Sequence, residues 1–290
     1  MEYINPFKLF HLSPDCTNED VERVVQETTQ TFQTYPDDKK IYVYGSKYLR
    51  TQVERALTDI QVAEKRAFHA KLLIHKDLLN FLEYGHLGYF KSARKGLKNE
   101  SEAFYSFLAP YFGYQYSESM LQAIKTNDEE TLELLASESL PIGTEQEQDY
   151  YGAANNYVQD TIAELRKLQE RQELVSMSER EMTSHLSDKT IKLYNILPDY
   201  FYATRNLIAN EVYNLAMVMS TNYGRSDGAQ TMLRQGLKLK LDETVKKNLE
   251  DLLDKHSFKV GRPPNWLILG VGVIILLFLM KYIETTFFAG

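Results

Sequence analysis

The sequence contains a single cysteine and a single tryptophan in 290 residues. One cysteine, Cys16, excludes an internal disulfide, which fits a reducing compartment such as the cytosol. No Gly-x-Gly-x-x-Gly or Walker-type loop is present to cradle a phosphate, and no Gly-x-Ser-x-Gly elbow to present a nucleophile. The six histidines, at 11, 69, 75, 86, 185 and 256, include no pair at helical metal-ligand spacing with a third ligand close by. Cys16 falls in a cap-like turn with nothing beside it to activate a thiol. No catalytic residue, metal site or cofactor is therefore expected, and the chain reads as a non-enzyme. An excess of basic residues is also missing: 33 Lys and Arg against 40 Asp and Glu give a net charge of −7 and a pI of about 5.5. That balance argues against a nucleic-acid partner. The opening Met-Glu-Tyr-Ile-Asn-Pro-Phe has neither the basic n-region nor the apolar h-region of a signal peptide.

What the sequence does have is one long apolar run, Trp266 to Ile283, whose first fifteen residues carry no charge, amide or hydroxyl. Eighteen helical residues rise roughly 27 Å, about the thickness of a bilayer's hydrocarbon core. Trp266 and Tyr282 stand at the two ends, where amphipathic rings favour the headgroup level, and Lys281 can snorkel outward. A buried core helix is the alternative, but such helices rarely run this long without a polar face. Lys255, Lys259 and Arg262 precede the run and only Lys281 follows. By the positive-inside rule the expectation is a single-pass tail anchor in a lipid bilayer, with the body cytoplasmic and a short tail beyond.

Residues 1–75 read as a compact helical module. Asn5-Pro6-Phe7-Lys8-Leu9-Phe10 opens with a turn and a short apolar helix. Thr17 is a candidate N-cap, with Asp20 placed to complete a capping-box-like arrangement. Val21, Val24, Val25, Thr28 and Phe32 then share one helical face up to Tyr35-Pro36-Asp37-Asp38, where proline stops the helix. A third helix is expected from near Tyr48, through Val53, Ala56, Leu57 and Ile60 and on into Glu64-Lys65-Arg66-Ala67 and Leu72-Leu73-Ile74.

Taken together, Asn5-Pro6-Phe7, Leu9-Phe10, Pro14-Asp15-Cys16-Thr17, Ala56-Leu57, Ile60 and Glu64-Lys65-Arg66-Ala67 resemble a J domain, the module of DnaJ-type co-chaperones, over residues 4 to 72. The resemblance implies a heat-shock ATPase chaperone as partner, met by the helix around Arg23 and by the turn Tyr35, Pro36 and Asp37. It is incomplete. The family carries His-Pro-Asp after its second helix; counting without a gap from Val21 puts Gln33-Thr34-Tyr35 there, two extra residues bring Tyr35-Pro36-Asp37 into place, and either way the histidine is missing. The family's second helix is also basic, whereas residues 21–35 carry only Glu22, Arg23 and Glu27. Weak charge complementarity slows encounter with an acidic partner.

Residues 76–136 form an aromatic-rich helical region. Phe104, Phe107, Leu108 and Tyr111 keep helical spacing, which favours core over a peptide-binding groove. Two short helices are expected between Met120 and Ala136, split at Thr126-Asn127-Asp128. Residues 137–189 read as a linker, with Pro141 and Gly143, followed by a polar helix from Tyr157 to about Thr183. Its stripe of Ile162, Leu165 and Leu168 fits either a solvated helix packed on its own domain or a coiled-coil partner. Residues 190–258 hold an amphipathic helix around Leu207 to Met219, a turn at Asn222–Gly228 and a partner helix, similar to one tetratricopeptide-like unit. A Leu-Pro-Asp helix, such a pair and a terminal span, 264–284, also resemble tail-anchored DnaJ-like proteins of bacteria.

The expected fold is all-α: a J-like module, a helical-bundle or tetratricopeptide-like middle and one transmembrane helix. The expected function is a membrane-tethered J-domain-like co-chaperone or chaperone adaptor in protein folding and quality control. The alternative is a non-catalytic membrane scaffold that gathers other proteins on its helical surface without stimulating a chaperone ATPase.

Overall fold

The computed structural model describes residues 2–36, 39–92, 100–137, 147–170, 174 and 176–257. Among them the fold is all-α apart from one β-hairpin. The chain divides into two compact units. The first takes the described residues up to Tyr157 together with Ile196–Tyr200; the second takes Val158–Asn195 and the described residues from Phe201 onward. No described helix is long and apolar enough to cross a membrane, and the run 266–283, with Trp266, Lys281 and Tyr282, lies outside the described residues.

The first unit begins with α1 (Pro6–Leu9), where proline at the first turn leaves no backbone donor wasted. The Asn5 side chain caps it, accepting from Phe7 N at 3.0 Å and Lys8 N at 3.4 Å. The helix α2 (Asn18–Thr34) starts in a full capping box: Thr17 Oγ1 accepts from Asp20 N, and Asp20 accepts from Thr17 N at 3.0 Å. A hairpin follows, β1 (Lys40–Val43) paired antiparallel with β2 (Ser46–Leu49) through a Tyr44–Gly45 turn. Both turn residues have positive φ, +45° and +84°, as a two-residue type I′ hairpin turn demands.

The hairpin is a departure from the helix expected near Tyr48. Ile41 and Val43 point into the core while Lys40 and Tyr42 point out. That period-2 alternation of β-branched and aromatic residues suits a half-buried strand. The helix α3 (Arg50–Gln61) starts two residues later than expected and stops at Val62, whose ψ of 112° breaks the run before α4 (Ala63–Ile74). Phe7, Phe10, Val21, Val24, Ile41, Val53, Leu57 and Ile60 form the shared core of α1, α2, α3 and the hairpin.

Beyond it lie α5 (Lys76–Tyr84), α6 (Gly88–Lys91), α7 (Glu102–Thr126) and α8 (Glu129–Ala136). The helix α7 is continuous to Thr126, where two short helices had been expected to begin at Met120. Asn127 takes the left-handed conformation that ends α7, and Asp128 caps α8 through Thr131 N. Phe81, Phe90, Phe112, Tyr116 and Tyr150 are buried and meet at ring-centroid distances of 4.9 to 6.2 Å. Tyr150 belongs to α9 (Glu147–Glu170), which starts ten residues before the expected Tyr157 and ends well before Thr183. The linker proposed for 137–150 lies mostly outside the described residues.

In the second unit, α10 (Glu179–Ser184), α11 (Asp188–Ile196), α12 (Tyr202–Asn222), α13 (Ser226–Gly236) and α14 (Glu243–Ser257) follow. The helix α13 packs on both α12 and α14, and a β-carbon added at Gly236 would lie 2.8 Å from Leu249 and 3.0 Å from Val212. Arg205 is fully buried and donates to the carbonyls of Tyr194 and Lys240. It thereby ties α12 to the end of α11 and to the segment before α14.

Two glycines of the first unit give opposite expectations. A β-carbon at Gly113 would sit 2.7 Å from the ring of Tyr150, whereas at Gly152 it would meet nothing within 4 Å. Gly113→Ala should destabilise by about 1–3 kcal/mol, because a buried ring cannot yield as a flexible chain end would. Gly152→Ala should stabilise by up to about 1 kcal/mol through helix propensity. Urea unfolding of the two variants checks the sign of each, and a stabilised Gly113→Ala would contradict the close contact.

Candidate functional site

The turn after α2 is the place that the sequence singles out. Tyr35 closes α2, its N–H donating to the Thr31 carbonyl at 3.1 Å, and its ring is 53% exposed. The Arg50 guanidinium at the start of α3 donates to the carbonyls of both Tyr35, at 3.0 Å, and Pro36, at 2.7 Å. The same guanidinium lies 4.7 Å from the Phe32 ring and pairs with Glu54 at 2.8 Å. One planar, always-charged group thus fastens the end of α2 and the turn to the first turn of α3. Asp37 lies outside the described residues.

Arg23 stands on the exposed side of α2, paired with Asp20 at 3.1 Å. An exposed pair of this kind contributes under about 1 kcal/mol, so it leaves Arg23 free to change partners. The Asp20 carboxyl is held below its ordinary value by hydrogen bonds from the backbone and hydroxyl of Thr17. The hairpin tip reaches the same side of α2: Tyr44 donates to Glu27 at 2.9 Å and stacks on His11 at 4.9 Å. His11 and Tyr44 are two of the three non-glycine residues with positive φ among the described residues. The structure thus gathers Arg23, Glu27, Tyr44 and the Arg50-pinned Tyr35-Pro36 turn around one helix.

A second cluster, buried in the first unit, was not singled out from the sequence as a unit. Asp59 on α3 is 3% exposed, and its carboxylate accepts from Lys65 Nζ at 2.7 Å and from the Tyr111 hydroxyl at 3.1 Å. His69 on α4 places Nε2 3.5 Å from Asp59 Oδ2, a separation at which no hydrogen bond of normal geometry forms. The other ring nitrogen, Nδ1, lies 2.9 Å from the Tyr3 hydroxyl. Asn5 Nδ2 donates to that hydroxyl at 3.2 Å and to the His69 carbonyl at 3.1 Å. Since the Tyr3 oxygen accepts from Asn5, its proton is available to Nδ1. The imidazole then carries its own proton on Nε2, facing the carboxylate. Nothing local betrays this cluster, because residues 3, 5, 59, 69 and 111 converge only through the tertiary fold.

The arrangement resembles a relay in connectivity, yet both Tyr3 and His69 are almost fully buried, so no substrate reaches them. Among the described residues no group of three or more His, Cys, Asp or Glu side chains is arranged to hold a metal ion. Burial raises the Cys16 thiol above its ordinary value. What the sequence marks out is an exposed turn and helix face, and what the fold adds is an ionic core in the same unit.

No family model, curated protein or solved structure matches this chain.

The buried cluster makes stability depend on pH in a definite direction. Burial alone would raise the Asp59 carboxyl, but His69 and Lys65 overcome it and bring it from 3.8 down to about 2. That difference corresponds to about 2–3 kcal/mol, present in full above pH 3.8 and lost as pH falls through 2. Burial lowers His69 below its ordinary 6.5, opposed by Asp59, so its contribution is complete above pH 6.5 and declines below it. Thermal unfolding from pH 7 to pH 2 should show both losses in the wild type. Asp59→Asn should be less stable at pH 7 by about 2–5 kcal/mol, with the gap to wild type closing below pH 4. Parallel pH curves for the two proteins would exclude Asp59 as the titrating group.

Proposed function

We propose that this chain is a membrane-tethered, J-domain-like co-chaperone or chaperone adaptor acting at the cytosolic face of its membrane. The observation that carries this reading is the amphipathic α2 ending in a Tyr35-Pro36 turn that Arg50 holds in one conformation. A turn held that way presents its side chains to a partner without first losing conformational freedom, which is what a docking element needs. The capped start of α2 and the Glu64-Lys65-Arg66-Ala67 segment of α4, with Arg66 donating to Asn18 Oδ1 at 2.9 Å, support it. The apolar run from Trp266 to Ile283 supplies the tether in this proposal, and Lys255, Lys259 and Arg262 its orientation. Arg23, Tyr35, Pro36 and Asp37 are the contact residues, and a heat-shock ATPase is the partner.

A second reading has its own support. Tyrosine replaces the family's histidine in the turn, and the hairpin tip occupies Glu27 on the exposed side of α2. Both features favour a scaffold that keeps the J-like shape without driving ATP hydrolysis.

One experiment separates the two. The full chain in lipid nanodiscs is mixed with a cognate heat-shock ATPase, and both binding and single-turnover ATP hydrolysis are followed. The co-chaperone reading expects hydrolysis to accelerate several-fold, with Arg50→Ala and Asp37→Asn each reducing the effect. Binding without acceleration selects the adaptor, and neither binding nor acceleration leaves the scaffold.

A further inference from the structure

The outer edge of β2 is unpaired, and what surrounds that edge is specific enough to name an occupant. The register pairs Lys40 with Leu49, Ile41 with Tyr48, Tyr42 with Lys47 and Val43 with Ser46. A two-residue turn makes Val43 and Ser46 a hydrogen-bonded pair, and alternation makes Ile41 and Tyr48 the next. The bond from Arg50 N to the Lys39 carbonyl, at 2.9 Å, continues the same phase. Lys47 therefore turns both its N–H and its carbonyl away from β1, and neither finds a partner among the described residues. The Leu49 N–H is already taken by Gln52 Oε1 at 3.0 Å.

A cleft of about 550 Å³ runs along this edge. Consecutive residues Lys47, Tyr48 and Leu49 of β2 line it although their side chains alternate between faces, and so does Lys40, which faces Leu49 from β1. Lys8 and Tyr84 stand among its other walls, and Tyr84 and Leu49 are 63% and 41% exposed. Three lysines and two glutamates line it, a local excess of positive charge in a chain of net charge −7. Lys8 is paired with Glu83 at 2.6 Å, and Glu2 accepts from Gln52 at 2.5 Å. Lys40 and Lys47 have no carboxylate within ion-pair distance among the described residues, and Lys47 Nζ lies 5.5 Å from the Tyr42 ring.

We propose that this edge docks an extended acidic segment of a partner protein, which adds to β2 as a third strand. Its backbone pairs with Lys47, its carboxylates meet Lys40 and Lys47, and its apolar side chains rest against Leu49 and Tyr84. A second copy of this chain fits poorly, because antiparallel pairing of two β2 edges about Lys47 sets lysine against lysine. This site is separate from the α2 turn, and its test reads binding directly, so it stands or falls apart from any chaperone activity.

The test uses the full chain in nanodiscs and three fluorescent octapeptides that alternate leucine with aspartate, asparagine or lysine. The aspartate peptide should bind saturably, more weakly at 500 mM than at 50 mM salt, and should protect the Lys47 amide from hydrogen exchange. The double variant Lys40→Glu, Lys47→Glu should weaken it at least tenfold, while Lys246→Glu, Lys247→Glu on α14 should leave it unchanged. Equal binding of the asparagine peptide would remove the charge recognition. Loss by both double variants alike would reduce the effect to general electrostatics, and an unprotected Lys47 amide would remove strand addition. Self-association that the Lys40, Lys47 variant abolishes would replace the partner with a second copy. Each of these four outcomes overturns the proposal.

Discussion

A carboxylate buried among aromatic rings must be compensated or it will take up a proton, and in the first unit Asp59 sets that condition for everything around it. Three residues answer it: Lys65 and His69 from α4, and Tyr111 from α7. Each is held in turn by something else. His69 is fixed through Nδ1 by Tyr3, and Tyr3 by Asn5, whose amide also binds the His69 carbonyl while its oxygen caps α1. Asn5 is wholly buried, and all of these contacts except that of Lys65, whose side chain is 46% exposed, occur away from water. Removing one member leaves another donor or acceptor without a partner in a medium where that costs about 1–3 kcal/mol. The break between α3 and α4 at Val62 is part of the same solution, because it lets Lys65 return to Asp59 six residues earlier in the chain.

With the interior held in this way, the surface elements can differ without loss of the core. The hairpin contributes Ile41 and Val43 to the core, yet its outer face and open edge carry lysines, a tyrosine and a leucine. Its end leads directly into Arg50, the residue that grips the Tyr35 and Pro36 carbonyls. Hairpin and turn are thus mechanically linked: the position of β2 determines where the guanidinium begins its reach. The tip at Tyr44, with its left-handed backbone, is held down by Glu27 and His11.

Local chemistry was readable from residue order. The Thr17–Asp20 capping box read from the sequence forms, and Asn5 and Asp128 cap the helices that follow the turn at Asn5-Pro6 and the split at Thr126-Asn127-Asp128. The amphipathic faces of α2 and α3 follow from a 3.6-residue period in the same way. The hairpin left a signal that competed with a stronger one. Ile41-Tyr42-Val43-Tyr44-Gly45 alternates as a strand does, but it adjoins a long helical pattern, and Tyr48 extends that pattern backward by coincidence. The start of α9 was obscured because Tyr150, Tyr151 and Ala154 serve a different cluster from Ile162 and Leu165, so no single stripe continues through the helix. The Asp59 cluster was invisible for a deeper reason: the hydrogen bonds that close it, Tyr3 to His69, Asn5 to the His69 carbonyl and Tyr111 to Asp59, span 52 to 66 residues, and no periodicity carries information over such separations. Of the candidate contact residues, Arg23 stands on the exposed side of α2 and Tyr35 and Pro36 at its end, while the residue that fixes the turn, Arg50, is fourteen and fifteen positions away and was not singled out.

The role of Arg50 bears on what the turn offers a partner. Both carbonyls are spent on the guanidinium, so recognition at this turn depends on side chains: the exposed Tyr35 ring and the Pro36 face. A histidine there would bring a group that gains charge near neutrality, whereas tyrosine stays neutral and adds a larger apolar face. Tyr35 and Pro36 carry no cationic side chain, and Arg23 on α2 is already shared with Asp20. Lys40 and Lys47 on the hairpin, by contrast, have no carboxylate partner among the described residues. Within this unit the hairpin therefore carries cationic side chains less committed to internal pairs than the one arginine of α2.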